Sequence, residues 1–563
     1  MMTAKTISDR MTWFLKNRPF SILVIFLLTL IVYSNIFANQ FLMDDWDFIV
    51  DWPLIQDWKN FPQFFIGYVP PAGQEGIYSP LKTLFHAINY SLFGLNPLGY
   101  HVVSLLVHLV GIFLVYKLSY LFIKDEKVAF FSALLFGLHP VHVEPVTSMT
   151  GSVDLIGVLF MFLAFYLYVK AQRGEEGFNK KLYACSLLTA FLSIFTHELC
   201  LSLPVLLLWY DLCFTRKELS CRQMALRVAP FFAIAVFYAL CKFLVLGSVI
   251  RGQYIYDSFY LTMLVMVKAL AKYVVICFAP TILTHNQIIA PGISSFDQSD
   301  FDKFAVLSQS PLEVRTFLSL VLLGAIAYFA YLKFPKERLI TFCVGWFFIC
   351  LLPVLQIIPS GVYFAERYLY PGTWAFCLLL AFYLSRMTQA REKFFARTGV
   401  ILLIWACLVY TARGWIRNRD WKDEVTFYEA AVRANPQSAL MHNDLGIIYT
   451  KYGQPQDALA SFQNALAIRP DNPVAYFSMA AAYIQLDDKK KAADSLEQAV
   501  ILNPRYAEAH YNLAGLCIFA GQKDKGIEHF QKALSLYREQ GNEREAQEWD
   551  KAFREFFRIP IPD

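Results

Sequence analysis

Long apolar runs recur along roughly the first 410 residues of the chain and then stop. They lie at 20–37, 99–122, 128–147, 150–169, 182–214, 228–247, 315–333, 338–357, 369–386 and 396–412. A helix needs ~20 apolar residues to cross a bilayer, and the run at 182–214 is long enough for a hairpin of two helices. The pattern therefore predicts a helical membrane domain with about 11 spans.

A repeat with a period of 34 residues follows the last apolar run. Three prolines and three small residues keep this period, namely Pro436, Pro470, Pro504, Ala458, Ala492 and Gly526. Small residues let two helices touch, and a period of this length is typical of tetratricopeptide repeats. The tail is therefore predicted to form an α-solenoid.

These two patterns predict an all-α chain in four parts. They are a polytopic helical membrane domain at 1–412, a linker and half repeat at 413–435, three tetratricopeptide repeats at 436–540, and a C-terminal capping helix at 541–563.

Composition excludes several classes of protein. Of the 563 residues, 57% are hydrophobic and only 17% are charged, which is not the composition of a soluble globular protein. The net charge of +5 is small and gives no reason to expect a nucleic-acid partner. The 11 cysteines lie mostly inside apolar runs and form no CxxC pair, so they are predicted to be small buried apolar residues.

The distribution of charge predicts the orientation of the spans. Four basic residues precede the first apolar run and indicate a cytoplasmic N-terminus, namely Lys5, Arg10, Lys16 and Arg18. The loop at 39–97 then faces out. It contains four turn-forming residues, Pro70, Pro71, Gly73 and Gly76. It also contains an amphipathic segment at 79–93 that is expected to lie in the plane of the interface.

The basic loops between the later spans lie on the cytoplasmic side only if the segment at 259–280 does not cross the membrane. Lys268 and Lys272 lie one helical turn apart in that segment, so it is predicted to be a re-entrant or interfacial helix. With 259–280 not crossing, the number of spans places the repeats on the outer side of the membrane. The basic residues Arg413, Arg417 and Arg419, just after the last span, favour the cytoplasmic side instead.

Four groups of ionisable residues fall at span ends on the predicted outer side. They are Asp44, Asp45 and Asp47; His139, His142, Glu144 and Asp154; His197 and Glu198; and Glu366 with Arg367. Ionisable groups near hydrocarbon are costly, so their coincidence on one side indicates a functional site. Three of these groups also have a structural interpretation: an interfacial anchor around Trp46, a helix cap at His139, and a satisfied polar group at His197.

Two of these groups form a chemically consistent pair. Asp44 or Asp45 can deprotonate an acceptor hydroxyl, and the planar fork of Arg367 matches the oxygens of a phosphate leaving group. We predict Asp44 and Asp45 as catalytic residues and Arg367, Lys268 and Lys272 as donor phosphate-binding residues. The surrounding surface is predicted to consist of His139, His142, Glu144, Asp154, His197, Glu198 and Glu366. A site for a divalent cation stays open, although the chain has no HExxH, GxSxG or P-loop motif.

A series of motifs resembles one family over nearly the whole chain. The series is the acidic pair Asp44-Asp45, Ser79-Pro80-Leu81, the segment at 93–101, Leu138-His139-Pro140, Thr196-His197-Glu198, Tyr210-Asp211, Ala365-Glu366-Arg367-Tyr368 and the repeats. It resembles the transmembrane and tetratricopeptide-repeat (TMTC) O-mannosyltransferases. Ser79, Ser104, Ser152 and His197 depart from the family pattern, in which Arg, Asn, Arg and Lys are usual.

The resemblance implies a C-type (GT-C) glycosyltransferase. Such an enzyme moves mannose or another hexose from a polyprenyl-phosphate donor to a hydroxyl of a protein acceptor on the outer side of the membrane. The first-loop Asp would be the catalytic base, and the repeats would bind the acceptor. The short tail favours a bacterial member in the cell membrane, with the endoplasmic reticulum membrane as the alternative.

Two other functions remain open from the sequence. One is a non-enzymatic, membrane-anchored repeat scaffold, and the other is a ligase or transferase acting on lipid-linked glycans. Only about ten residues separate the last predicted span from the first repeat helix, a distance of at most ~35 Å. We therefore expect the repeats to present an acceptor close to the acidic cluster.

Overall fold

The computed structural model describes residues 17–66, 77–174, 177–289, 293 and 313–557. The regular elements in these ranges are helices, so the all-α prediction is confirmed. Some residues used in the sequence argument lie outside the described residues, namely Lys5, Arg10, Lys16, Pro70, Pro71, Gly73 and Gly76. The chain divides into two compact units, 1–426 and 427–563.

The first unit contains helices that correspond to the apolar runs. They are α1 Arg18–Tyr33, α2 Pro80–Phe93, α3 Pro97–Ile123, α4 Glu126–Leu138, α5 Val143–Thr147, α6 Met149–Gln172, α7 Lys180–Thr196, α8 Leu203–Tyr210, α9 Cys221–Leu246, α10 Phe259–Phe278, α11 Val314–Lys333, α12 Arg338–Leu351, α13 Tyr370–Thr388 and α14 Lys393–Arg419. Side-chain caps fix several starts: Asp125 accepts from the amides of Lys127 and Val128, and Ser220 forms a capping box with Gln223.

The apolar helices make this unit a multi-pass membrane domain. Among the described residues, eight helices have the length and composition of a span: α3, α6, α9, α10, α11, α14, Glu198–Thr215 and Glu366–Thr388. The pair Glu126–Leu138 and Pro140–Thr147, bent by 51° at His139, is a ninth candidate. Two shorter apolar helices, α1 and Arg338–Val354, accompany them. The predicted hairpin at 182–214 is present as α7 followed by Glu198–Thr215.

Helix α10 occupies the segment that is predicted to be a re-entrant or interfacial helix. It has the length and apolar composition of a span, and its lysines do not interrupt it. The ammonium of Lys268 lies 3.7 Å from a Glu313 carboxylate oxygen, and Lys272 donates to the carbonyl of Ile288 at 2.7 Å. Both charges are thus satisfied by residues outside the helix, which the local pattern does not reveal.

Buried hydrogen bonds hold the loop that follows α1. Asn418, near the end of α14, donates to the carbonyl of Val32 at 2.9 Å and accepts from the Thr147 hydroxyl at 2.9 Å. Asn39 donates to the carbonyl of Asn418, and the ring of His101 contacts the Asn39 carbonyl. The first loop is therefore fixed against α3, α5 and α14 before it reaches the acidic residues.

The second unit is a stack of helical pairs. Helix α15 Glu424–Ala434 leads into it, followed by α16 Ala439–Lys451, α17 Pro455–Ile468, α18 Pro473–Gln485, α19 Lys489–Leu502, α20 Ala507–Phe519, α21 Lys523–Glu539 and α22 Glu543–Phe557. The small residues of the repeat lie where helices touch: a Cβ on Gly446 would come within 2.6 Å of the Phe462 ring. In α22, Phe553 stacks on Phe530 with ring centroids 3.8 Å apart, and α22 thereby covers the last pair.

Candidate functional site

Span ends of the first unit converge on one cavity of about 500 Å³. Its polar lining includes Asp44, Ser79, Lys82, Glu144, Asp154, His197, Glu198, Arg251, His285 and Arg367. These residues come from the loop after α1, the start of α2, α5 and α6, and the junction between α7 and Glu198–Thr215. The others come from the loops on either side of α10 and from the segment before α13. The volume lies in the range of small-molecule sites, ~300–1,000 Å³.

Asp44 enters this lining from a strained turn. Met43 has a φ of +49°, a left-handed conformation that a non-glycine residue adopts only at a cost of about 1–3 kcal/mol. The turn directs the two following carboxylates into different surroundings. Among the described residues, Asp44 has no hydrogen bond or ion pair, and it is partly exposed in the cavity.

Asp45 does not line the cavity. It is 1% exposed, and its two carboxylate oxygens accept hydrogen bonds from the amides of Leu42 at 3.1 Å and Thr150 at 2.8 Å. Burial raises the pKa of Asp45 to about 6, although these amides act in the opposite direction. Its carboxylate links the first loop to the start of α6.

Arg367 reaches the cavity with its guanidinium held from behind. Its Nη1 donates to Glu144 Oε1 at 2.6 Å, and the Arg367 side chain remains 20% exposed. The other oxygen of Glu144 accepts from the amide of Glu366 at 3.0 Å. Glu366 in turn accepts from the amide of Thr284 at 2.7 Å and from Gln287.

A second ionic cluster lies in the same cavity. The ammonium of Lys82 is 2.8 Å from Asp154 Oδ1, and His197 Nε2 is 3.5 Å from the same oxygen. Next to it, Glu198 accepts from the ammonium of Lys242 at 2.6 Å and lies 2.9 Å from the Tyr238 hydroxyl.

Besides Asp45, five residues predicted for the site lie outside the cavity lining. His139 and His142 are fully buried: His139 contacts the carbonyl of Cys277 and caps the segment after α4, and His142 contacts the hydroxyl of Thr373. The remaining three are Glu366, which supports its neighbour from behind, and the two lysines of α10, Lys268 and Lys272. Within the described residues, no group of three His, Cys, Asp or Glu side chains is arranged to hold a metal ion.

The structure adds three basic lining residues to those predicted for the site, namely Lys82, Arg251 and His285. Lys82 was assigned only to an amphipathic helix, and Arg251 and His285 lie in loops on either side of α10. Burial and the neighbouring Arg367 and Arg417 lower the pKa of His285 to about 3, so its ring is neutral at physiological pH. No local pattern marks these loop residues, because their neighbours are distant in sequence.

Comparisons with known proteins confirm the resemblance drawn from the motifs. Residues 418–473 and 477–542 match a tetratricopeptide-repeat family model, and 449–499 match a second one. The chain is 25% identical to the protein O-mannosyl-transferase F38B6.6 of Caenorhabditis elegans, over 79% of this chain and 62% of that protein. It is 26% identical to the protein O-mannosyl-transferase TMTC3 of Mus musculus, over 66% of this chain and 42% of that protein.

A further relative and a solved structure match this chain to different extents. The protein O-mannosyl-transferase TMTC4 of Homo sapiens is 25% identical over 75% of this chain and 63% of its own length. A crystal structure of MamA is 28% identical over 23% of this chain and 82% of its own, with a TM-score of 0.19. The chain spans about half the length of the curated relatives it matches.

Proposed function

We propose that this protein is a membrane glycosyltransferase that moves a hexose from a polyprenyl-phosphate donor to a hydroxyl group of a protein acceptor. The observation that carries the proposal is that Asp44 and Arg367, a base and a phosphate ligand, line the same cavity of about 500 Å³. The names of the similar proteins, protein O-mannosyl-transferases, support mannose as the hexose and protein as the acceptor.

The reaction follows from the chemistry of the two side chains. Asp44 takes the proton of the acceptor hydroxyl as its oxygen attacks the anomeric carbon of the donor sugar. The bond between that carbon and the phosphate oxygen breaks, and its electron pair stays on the polyprenyl phosphate. The guanidinium of Arg367 neutralises the charge that develops on this leaving group.

Asp44 suits the role of base better than Asp45. The Asp45 carboxylate is 1% exposed and is held by two backbone amides, so it does not reach an acceptor hydroxyl in the cavity. Asp44 has no such bonds among the described residues and lies in the cavity lining.

The test is transfer from a labelled polyprenyl-phosphate hexose in membranes containing the full chain. We expect Asp44→Asn to lower transfer by ~100-fold or more, because a general base contributes factors of this size. Asp51→Asn is the matched control, since Asp51 is an exposed carboxylate in the same loop that does not line the cavity. Undiminished transfer by both Asp44→Asn and Asp45→Asn would exclude this chemistry.

Product analysis separates the proposal from its main alternative. Label recovered on protein supports a protein glycosyltransferase, and label recovered only on lipid-linked glycan supports a glycan ligase or transferase. If wild-type membranes form neither product, the result supports the non-enzymatic scaffold function instead.

We further propose that the tetratricopeptide repeats bind the acceptor on the extracytoplasmic side. Trp421, which lies near the end of the first unit, lines the cavity, so the chain leaves this unit beside the reacting groups. Deletion of 436–563 is expected to abolish transfer to the native acceptor and to leave transfer to a small acceptor mimic largely intact. Normal glycosylation of the native acceptor by the truncated chain would contradict this role.

A further inference from the structure

The cluster of Lys82, Asp154 and His197 lines the cavity but takes no part in the reaction described above. The three side chains are 14%, 14% and 17% exposed, so they are largely enclosed and still reachable from the cavity. The described hydrogen bonds and ion pairs of Asp154 all involve Oδ1, which lies near both Lys82 and His197.

The tautomer of His197 follows from its backbone contact. The amide of Leu199 donates to His197 Nδ1 at 3.1 Å, so Nδ1 is an acceptor and the ring proton of the neutral imidazole lies on Nε2. The Nε2 atom lies 3.5 Å from Asp154 Oδ1. The cluster therefore combines an ammonium group, an imidazole N–H and a carboxylate within one small region.

This combination does not suit a second phosphate site or a second base. A carboxylate in the centre of the cluster repels an anion, and its pairing with Lys82 at 2.8 Å opposes protonation. Donors and an acceptor side by side instead match adjacent hydroxyl groups, each of which donates one hydrogen bond and accepts others.

An aromatic ring lies beside the same cluster. Phe48 lines the cavity, and the ammonium of Lys82 lies 5.2 Å from the centroid of its ring. An apolar ring next to hydrogen-bonding groups fits a hexose, which has C–H groups on one face and hydroxyls at its edge.

We propose that Lys82, Asp154 and His197 form the subsite that binds two adjacent hydroxyls of the donor hexose, an inference that rests on the proposed glycosyltransferase function. Asp154 accepts from one hydroxyl, and Lys82 donates to the oxygen of the next. His197 holds Asp154 in position through Nε2. The cluster thereby sets which hexose is accepted, while Asp44 and Arg367 act at the reacting bond.

The experiment uses a set of polyprenyl-phosphate hexoses that each lack one ring hydroxyl. For wild-type membranes we expect two adjacent deoxy positions to lower kcat/KM by at least ~100-fold, because a site built to bind a hydroxyl rejects an analogue that lacks it. In Asp154→Asn, transfer from the complete donor should fall, and the penalty at those two positions should shrink to a few-fold.

Glu337→Gln is the matched control, because it removes a carboxylate that pairs with Lys333 and Arg386 away from the cavity. It should keep the wild-type pattern of deoxy penalties. If Asp154→Asn does not accumulate in membranes, His197→Gln and Lys82→Gln are compared with wild type in the same way.

The outcomes separate this inference from the function on which it rests. Wild-type transfer with an unchanged pattern of deoxy penalties in the variants overturns the sugar subsite and leaves the glycosyltransferase function in place. Absence of transfer by wild type from every donor overturns both.

Discussion

Two neighbouring carboxylates show how differently adjacent residues are used in the loop after α1. Asp44 is a partly exposed cavity residue, whereas Asp45 is buried and accepts two backbone hydrogen bonds. We expect Asp45→Asn to lower the free energy of unfolding by about 1–3 kcal/mol, since its amide NH₂ would face a backbone N–H. Asp44→Asn should leave stability unchanged and lose transfer. Thermal unfolding in detergent, run beside the transfer assay, checks both, and an equal loss of stability in the two variants would contradict this division.

His86 predicts a pH dependence of stability. It is fully buried in α2 and stacks on Phe48, and neither of its ring nitrogens has a hydrogen-bond partner among the described residues. Burial lowers the pKa of His86 to about 3, with a smaller contribution from Lys82. The unfolded chain binds a proton near pH 6.5 and the native state does not, so stability that is present above pH 6.5 is lost as the pH falls.

The substitution that isolates this effect is His86→Phe, which keeps an aromatic ring next to Phe48. The free energy of unfolding of the variant, relative to wild type, should rise by about 2 kcal/mol between pH 7.5 and pH 5. Unfolding in detergent at both pH values measures the difference. A difference that does not change with pH would show that His86 is protonated, or solvated, in the native state.

At the scale of the helices, the repeats predict a sharp packing constraint at Gly446. A Cβ there would approach the Phe462 ring to 2.6 Å, and the ring is fully buried. We expect Gly446→Ala to destabilise the second unit by about 1–3 kcal/mol through overpacking. Gly324→Ala, in α11 with nothing within 4 Å of the new Cβ, is the control and should be neutral or stabilising. Limited proteolysis of the full chain, followed by identification of the cleaved repeats, measures the effect.

The helices that are marked by an apolar run or by a regular repeat could be predicted from the sequence. The apolar runs, the hairpin at 182–214 and the 34-residue repeat all depend on spacing within one segment. The surroundings of α10 could not be predicted in this way, because the partner of Lys268 is Glu313, which lies beyond the helix and the loop that follows it.

The candidate site shows the same limit. Its clustered span ends were visible as charges next to apolar runs. The distinction between Asp44 and Asp45 depends on the backbone amides of Leu42 and Thr150, and the place of His285 depends on contacts between loops. Such contacts form only when distant segments fold together.

At the scale of the whole molecule, the cavity constrains the topology of the membrane domain. Arg251 before α10, His285 after it and Arg367 after α12 all line the same cavity, so the chain returns to one end of the first unit at each point. An even number of crossings must therefore separate these residues. Of the basic residues after the last predicted span, Arg417 does not oppose this topology, because it is 2% exposed and lies 3.7 Å from a Glu366 carboxylate oxygen and 3.5 Å from one of Asp420.

The topology predicts opposite labelling of two cysteines in intact cells. Gln454→Cys, at an exposed position in the repeats, should react with an impermeant maleimide. Cys221, exposed at the start of α9 after a basic loop, should be protected until the membrane is opened. Labelling at both positions is measured in a variant in which the other accessible cysteines, Cys185, Cys241 and Cys407, are replaced by serine. Protection of Gln454→Cys in intact cells would reverse the orientation.

The double contact of Glu144 has a consequence for how a donor is bound. Glu144 fixes both the Arg367 guanidinium and the amide of the preceding residue, so Arg367 is already ordered when the cavity is empty. A free arginine side chain loses up to about 2 kcal/mol of rotamer entropy when a ligand immobilises it. In this protein the rotamer entropy of Arg367 is lost during folding, so the donor phosphate binds a side chain that is already ordered. Donor recognition should accordingly resemble docking to a rigid site, with little tolerance for a phosphate displaced along the chain of the lipid.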